Sequence, residues 1–567
     1  MGQAIEPRNQ QIRGADAVGP AEGNIVDGAI RESSADPARS KTLSTHGTSM
    51  RENRETPRLP DHLIRGGTLR EGQWPKPEMH GGGESDRPVL PAKTPNNAGQ
   101  PAAEVPEERG LAKGNTDSTT RSGLSTGEGV PIGLDRVRQV ARKNKDVRFT
   151  ALLHHVDLSR LWAAYVAINP KAAPGVDKVT WEDYGENLRE NLENLLARVH
   201  SGAYRAKPTR KAYIPKADGR LRPLGIATLE DKILQRAVVE VLNAVYEEDF
   251  LGFSYGFRPG RSPHHALDAL ATGILRKKVN WVLDADISDF FSKLDHSWIE
   301  KFLEHRIADR RVLRLIRKWL NAGVIEEGDW KRTIEGSPQG ASISPLLANI
   351  YLHYVFDRWA RQWRHRHARG DVVVVRFADD FVVGFEHRDD AQRFLVDLRE
   401  RLTKFNLELH PEKTRLIEFG RFAAQRRRAR GLGKPETFDY LGFTHICGTT
   451  RNGRFKLKRI TISKRLRAKL RAVKDQLRLR RHLPIPEQGQ WLASVVRGHL
   501  AYYAVPGNSR AVRAFRDQVT RHWFKSLRRR SQRHRLDWDR MHRLVTRWLP
   551  PVRIVHPYPD VRFDART

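Results

Sequence analysis

Cysteine is almost missing: Cys447 is the one cysteine in 567 residues. A single thiol excludes an intramolecular disulfide framework and any zinc site built on two or more cysteines. The chain therefore reads as cytosolic (cytoplasmic). Long apolar runs are missing too. None approaches the roughly 18 residues that span a bilayer, and the N-terminus lacks the apolar core of a signal peptide. Aromatics are nearly absent from the first part of the chain: residues 1–130 hold Trp74 and no Phe or Tyr. That stretch is rich in Gly, Pro, Ser, Thr and charge. It cannot bury enough apolar surface to offset its ordering entropy, so it is expected to be a disordered N-terminal extension.

Acids are the other shortage. Lys plus Arg number 101 against 67 Asp plus Glu, a formal net charge of +34. The excess is local. Residues 1–130 carry 16 basic and 18 acidic side chains, whereas residues 441–567 carry 31 and 7. A net of +24 on the last part of the chain points to a polyanionic partner such as nucleic acid. An anionic membrane surface is the rival reading; no membrane span is expected.

At a prior of about 150 residues per domain, the length suggests three or four units. Order is expected from about residue 131, where "IGLDRVRQVARKN" shows helical spacing of apolar residues. From there to about 440, short apolar strands ("WVLDADI", "VVVVRF", "FVVGF") mix with helices ("EDKILQRAVVEVLNAVYEE", "LLANIYLHYVFDRWARQW") in an α+β pattern. "FGRFAAQRRRARGLGKPE" (419–436) is a basic, Gly-containing connector within this region. After about 455 the chain reads as helical and very basic. Leu466, Leu470, Val473 and Leu477 form an apolar seam on a helix with a cationic back.

In "VVVVRFADDFVVGF" (372–385) two adjacent acids, Asp379 and Asp380, sit at the tip of an apolar hairpin. Asp is a common turn residue, because its side chain can bond its own backbone. A second apolar strand, "WVLDADISDFF" (281–291), carries Asp284, Asp286 and Asp289. Asp284 and Asp286 face the same side of that strand. Taken alone, this second stretch also fits a strand end capped by acids. Together, the two stretches have what phosphoryl transfer with two Mg²⁺ ions requires: clustered carboxylates on rigid strands, since Mg²⁺ is hard and prefers oxygen ligands.

"RLRPLGIATLEDKILQRAVVEVLNAVYEEDFLGFSYGFRPGRSPHHAL", "LDADISDFFSKLDH", "GSPQGASISPLLANIYLHYVFD", "RFADDFVVGF" and "FDYLGF" follow one another in order. This succession resembles the blocks of a group II intron-encoded reverse transcriptase and maturase, over roughly residues 132–560. The resemblance implies a right-hand polymerase fold, with fingers and palm over 131–440. A helical, basic thumb and X (maturase) domain would follow over 441–567. It implies an RNA-directed DNA polymerase that copies intron RNA during mobility and, as maturase, assists its splicing. Mg²⁺, dNTPs, the intron RNA, and a DNA target and primer would be its partners. A splicing-only maturase with an inactive site, or a reverse transcriptase of a retron or defence system, are the alternatives.

Residue by residue, the resemblance makes Asp286, Asp379 and Asp380 the catalytic metal ligands. Asp284 competes with Asp286 for this role, and Asp289 is structural. Phe377 stands where the family usually has Tyr. Lys216 and Arg222, flanking a Gly219 turn, match fingers residues that meet the nucleotide triphosphate; a basic surface turn would look the same. Phe291 matches the aromatic that blocks a ribose 2′-hydroxyl, and Gln339 the residue packed on the template–nucleotide pair. In the basic tail, Arg497, Tyr502, Tyr503, Arg510, Arg528, Arg529 and Arg530 are candidate RNA contacts. Tyr502 and Tyr503 fit core aromatics equally well. No metal-dependent endonuclease domain is expected.

Overall fold

Side chains that alternate along the apolar strands end up in two different cores. The computed structural model describes residues 132–215, 221–326, 329–331, 336, 340–531 and 536–562. These all belong to one unit, Asn96–Thr567; a separate unit, Met1–Pro95, and the whole extension 1–130 lie outside the described residues.

The central sheet has four strands in the order Val372–Phe377, Asp380–Phe385, Trp281–Asp286, Arg415–Glu418. Leu283, Ala285, Val374, Phe381, Val383 and Phe385 point into one core. Val282, Val375, Phe377, Val382 and Ile417 point into the other. Burial on both faces explains why these strands read as nearly unbroken apolar runs.

The first core gathers helices on one side of the sheet. The longest, Leu229–Asp249, starts where the Thr228 side chain accepts a hydrogen bond from Asp231 N. Its Ile233, Leu234, Ala237, Val238, Val241, Leu242 and Val245 recur at 3–4-residue spacing and are all buried. The sequence stretch around "LLANIYLHYVFDRWARQW" is not one regular helix. Ser344–Leu352 and Arg358–Arg366 are α-helical, but His353–Asp357 between them winds as a π-helix. Such single-turn π segments often mark functional sites.

The second core lies on the opposite face. There the helix Pro263–Arg276 packs with a three-stranded sheet (Phe438–Tyr440, Phe443–Thr449, Phe455–Thr461) and the helices Ser463–Leu479, Ile485–Tyr503, Ser509–Arg528 and Trp538–Trp548. The architecture is α+β, a right-hand polymerase arrangement followed by a helical region, as expected. The expected boundary at 440 falls inside a sheet, because Phe438–Tyr440 pairs with Phe443–Thr449 across a two-residue turn. The hairpin 443–461 also delays the helical run expected from about 455 to Ser463.

A third sheet joins Leu221–Ile226, Thr209–Pro215, Val324–Glu326 and Asp329–Lys331. The first two strands pair antiparallel, so the expected basic hairpin is present up to its tip.

Candidate active site

The two acid-bearing segments meet at one end of the central sheet. Asp286 stands directly opposite Asp380 in the antiparallel register, and Phe377 opposes Asp380 from the other strand. Asp379 lies in the turn. Opposed residues hold their β-carbons about 4.5–5.5 Å apart, so the carboxylates of Asp286 and Asp380 are neighbours by construction. Asp284 opposes Val382 on one side and Arg415 on the other. Phe377 is buried in the second core beside Phe257, their ring centroids 6.4 Å apart.

Acids this close repel one another. Burial first, then Asp284, Asp286 and Asp379, push the Asp380 carboxyl well above the usual range, while Arg465 pulls it down. Burial also lifts Asp284 to about 6, opposed by Arg415, which lies 3.6 Å away. Asp286 has its own cation: Lys413 Nζ donates to its Oδ2 at 2.6 Å. Lys413 is brought there because His410 N donates to the Asp286 carbonyl, laying residues 409–413 beside the strand end. Among the described residues no three His, Cys, Asp or Glu side chains are gathered as a metal site with the side chains in these positions. The donor chemistry nonetheless fits a hard cation. The acids supply oxygens only, and the repulsion felt by Asp380 is what a cation between them would relieve.

A buried arginine holds the turn. Arg376 is wholly buried, and its five N–H groups find five acceptors. Nε and Nη2 reach Asp357 Oδ1 and Oδ2 at 2.7 and 2.6 Å. Nη2 also reaches Ser254 Oγ at 2.7 Å, and Nη1 reaches Asn349 Oδ1 at 3.1 Å. The remaining Nη1–H donates to the carbonyl of Ala378 at 2.9 Å. Ala378 is the residue between Phe377 and Asp379, and its φ of 57° is left-handed, which an alanine disfavours. The turn is pinned from the other side by Gly256, where a β-carbon would sit 2.3 Å from Ala378 N. The π-helix places Asp357 under Arg376. Sequence reading missed Arg376, Asp357 and Lys413; the Arg beside "FADD" was the only signal for them.

The other candidates gather unevenly. Phe291 is partly exposed at the edge of the first core, while Phe290 is buried against it. The backbone of Phe291 and Ser292 meets Gly336, and Gly340 (φ 111°) comes so close to the fingers strand that a β-carbon would lie 3.0 Å from Gly225 O. Gly336 thus lies against the backbone of Phe291, and Gly340 against the strand holding Arg222. Gln339 and Lys216 themselves lie outside the described residues. Arg222 is placed by its backbone, opposite Ile214.

In the helical region Arg497, Arg510, Arg528 and Arg529 are exposed. Arg530 is half-buried and donates to the carbonyls of His482 and Leu483, so it also closes a loop. Two candidates need correction. Tyr503 is buried in the second core against His499 and Phe443. Tyr502 is stacked on Phe443 and donates its hydroxyl to Leu441 O at 2.9 Å. Tyr503 is a core aromatic of the helix Ile485–Tyr503 and is not open to a base, while Tyr502 is half-buried against the same core. By contrast, Arg465, passed over in the sequence, opens the helix Ser463–Leu479 near enough to act on Asp380.

Residues 214–445 match the reverse transcriptase (RNA-dependent DNA polymerase) family. They are a reverse transcriptase domain. The site just described lies within it, and the chain is a relative of group II intron-encoded reverse transcriptases and maturases. Protein YkfC of Escherichia coli (strain K12) is 37% identical over 253 residues, 39% of this chain and 66% of that protein. Group II intron-encoded protein LtrA of Lactococcus lactis subsp. cremoris is 33% identical over 243 residues, 42% of this chain and 39% of that one. An uncharacterized 91 kDa protein in the cob intron of Schizosaccharomyces pombe is 41% identical over 162 residues, 29% and 20% of the two chains. The reverse transcriptase domain is thus covered, while the matches span less than two thirds of these relatives' own lengths. Among the described residues no helix is long and apolar enough to cross a membrane.

Proposed function

We propose that this chain is an RNA-directed DNA polymerase encoded by a group II intron, which copies intron RNA into DNA and also binds that RNA as a maturase. The observation that carries this reading is the register of Asp286 opposite Asp380, with Asp379 at the turn, inside a reverse transcriptase domain. The partners in this reading are the intron RNA, a DNA target and primer, and dNTPs, in the cytoplasm.

Asp286, Asp379 and Asp380 would hold Mg²⁺, which lowers the barrier by stabilising the attacking and leaving oxygens of the phosphoryl transfer. The chain's own residues orient the reactants. Arg376 and Gly256 fix the turn that aims Asp379 and Asp380. Phe291, at the edge of the core, would exclude a ribose 2′-hydroxyl. Lys216 and Arg222 would meet the triphosphate, Arg through its bidentate fork, and Gln339 would pack on the nascent pair. Arg497, Arg510, Arg528 and Arg529 offer exposed cations to the intron RNA.

The test is primer extension on a poly(rA) template with an oligo(dT) primer, Mg²⁺ and dTTP. Wild type should extend the primer. Asp379→Asn should lose on the order of 10²–10³-fold or more, the scale of deleting a group that acts on the transition state. RNA binding should be nearly unchanged in the variant. Equal synthesis by both, or none by wild type, overturns the reading.

A further inference from the structure

The basic connector 419–436 holds six cations, Arg421, Arg426, Arg427, Arg428, Arg430 and Lys434, against one acid, Glu436. It is docked rather than trailing. Gly420 N donates to Cys447 Sγ at 3.4 Å, and Arg421 Nη2 donates to Leu275 O at 3.0 Å. Arg426 reaches Asn280, and both Arg426 and Arg430 pair with the buried Glu418. A short helix, Ala423–Ala429, follows.

The local acids are already engaged. Glu418 is taken as above, Asp371 by Lys277 at 3.2 Å and Glu386 by Lys278 at 3.7 Å. Arg428, Lys434 and Arg276, the last adjoining Leu275, are exposed and have no partner among the described residues. Phe422 is 50% exposed beside them. The surface that remains therefore presents cations and an open aromatic ring.

Its position is as telling as its charge. Glu418 pairs with Trp281, five residues along the strand from Asp286. At about 3.3 Å per residue the connector leaves the sheet roughly 16 Å from the catalytic end. A primer–template seated on the acids does not explain cations at the far end of the strand.

We propose that the connector, with Arg276, is a further polynucleotide-binding surface, separate from the catalytic acids and from the exposed arginines of the helical region. It takes the phosphate backbone of folded RNA, with Phe422 stacking on an unpaired base. Arginine and lysine supply the phosphate contacts, and the aromatic supplies a sequence-tolerant platform. This rests on the reading above only in taking the chain to be an RNA-binding polymerase.

The test uses the full chain and the charge reversal Arg276→Glu, Arg428→Glu, Lys434→Glu. Among the described residues these three side chains make no hydrogen bond or ion pair. The probe is an RNA stem–loop with unpaired adenosines, and its affinity is measured across a salt series. Loss of three phosphate contacts should make the slope of log K against log salt shallower by about 2–3. Extension of a short poly(rA)/oligo(dT) substrate should stay at the wild-type level, which also reports folding. A photo-crosslinking residue at position 422 should capture the stem–loop even when excess primer–template fills the groove. The same sequence as single-stranded DNA separates RNA from polynucleotide in general: weaker capture of DNA supports the RNA assignment, and equal capture widens it to any polynucleotide. An unchanged slope, or crosslinks lost to primer–template, overturns the proposal. Failure of wild type to extend a primer would sink the polymerase reading instead and leave the salt slope to be judged by itself.

Discussion

Lys413 shows what a single residue does at this site. Its ammonium is the cation that Asp286 already has, at 2.6 Å. A positive charge there competes with any metal for the same oxygen. Lys413 is half exposed, so its pairing with Asp286 contributes at most about 0.5–1 kcal/mol. Lys413→Met should therefore lower the Mn²⁺ concentration for half-saturation by roughly two- to fivefold. Paramagnetic titration of the metal reads this without catalysis; weaker metal binding in the variant would mean that Lys413 helps to hold the site together. The residue scale also separates Asp286 from Asp284. Both face the same side, but Asp284 is the one shielded by burial and by Arg415, and its carboxyl is lifted to about 6.

The ADD hairpin is held from outside itself. Arg376 and Asp357 form a wholly buried ion pair, and breaking such a pair leaves one charge uncompensated. Arg376→Met should cost about 3–5 kcal/mol of stability, seen as a lower midpoint in urea. Adding Asp357→Leu should recover much of that stability, because the stranded carboxylate is gone. DNA synthesis should remain low in the double variant, since nothing then holds the Ala378 carbonyl. Full recovery of both would reduce the network to packing. The helices Ile485–Tyr503 and Ser509–Arg528 make the complementary case. Tyr503→Ala removes a core aromatic and should cost about 3–5 kcal/mol without changing the salt slope of RNA binding. Arg528→Gln with Arg529→Gln should flatten that slope by about 1.5 and leave the unfolding midpoint in place.

Across the whole molecule, histidine burial couples stability to pH. His264, His445 and His499 are pushed down to about 3 and His353 to about 4, chiefly by burial. Each is neutral when folded, while its unfolded counterpart titrates near 6.5. Below that value the unfolded chain binds protons that the folded chain refuses, so stability falls as pH drops from about 6.5 toward 4. The raised Asp284 and Asp380 act in the opposite sense: their contribution is present at low pH and is lost as pH rises through their folded values. His445 lies flat on Phe438 with centroids 4.7 Å apart, so His445→Phe keeps the stack. In urea unfolding between pH 6 and 5, the variant should lose stability less steeply than wild type by up to about 1.4 kcal/mol per pH unit. Parallel curves would place that histidine's proton elsewhere.

The sequence by itself was enough for the strands and helices around the site, the Asp-bearing segments, the charge imbalance and the family. Those features rest on local periodicity and on what each residue type can do chemically. Only the tertiary structure decided which acids face each other. It also put Lys413 on Asp286 across 127 residues of chain and a buried arginine under the turn. It buried Tyr503 in the second core, packed Tyr502 against that core and brought Arg465 to bear on Asp380. These depend on which distant segments share a sheet edge or a core, and that is set by the register of strands far apart in the chain, which no local pattern encodes.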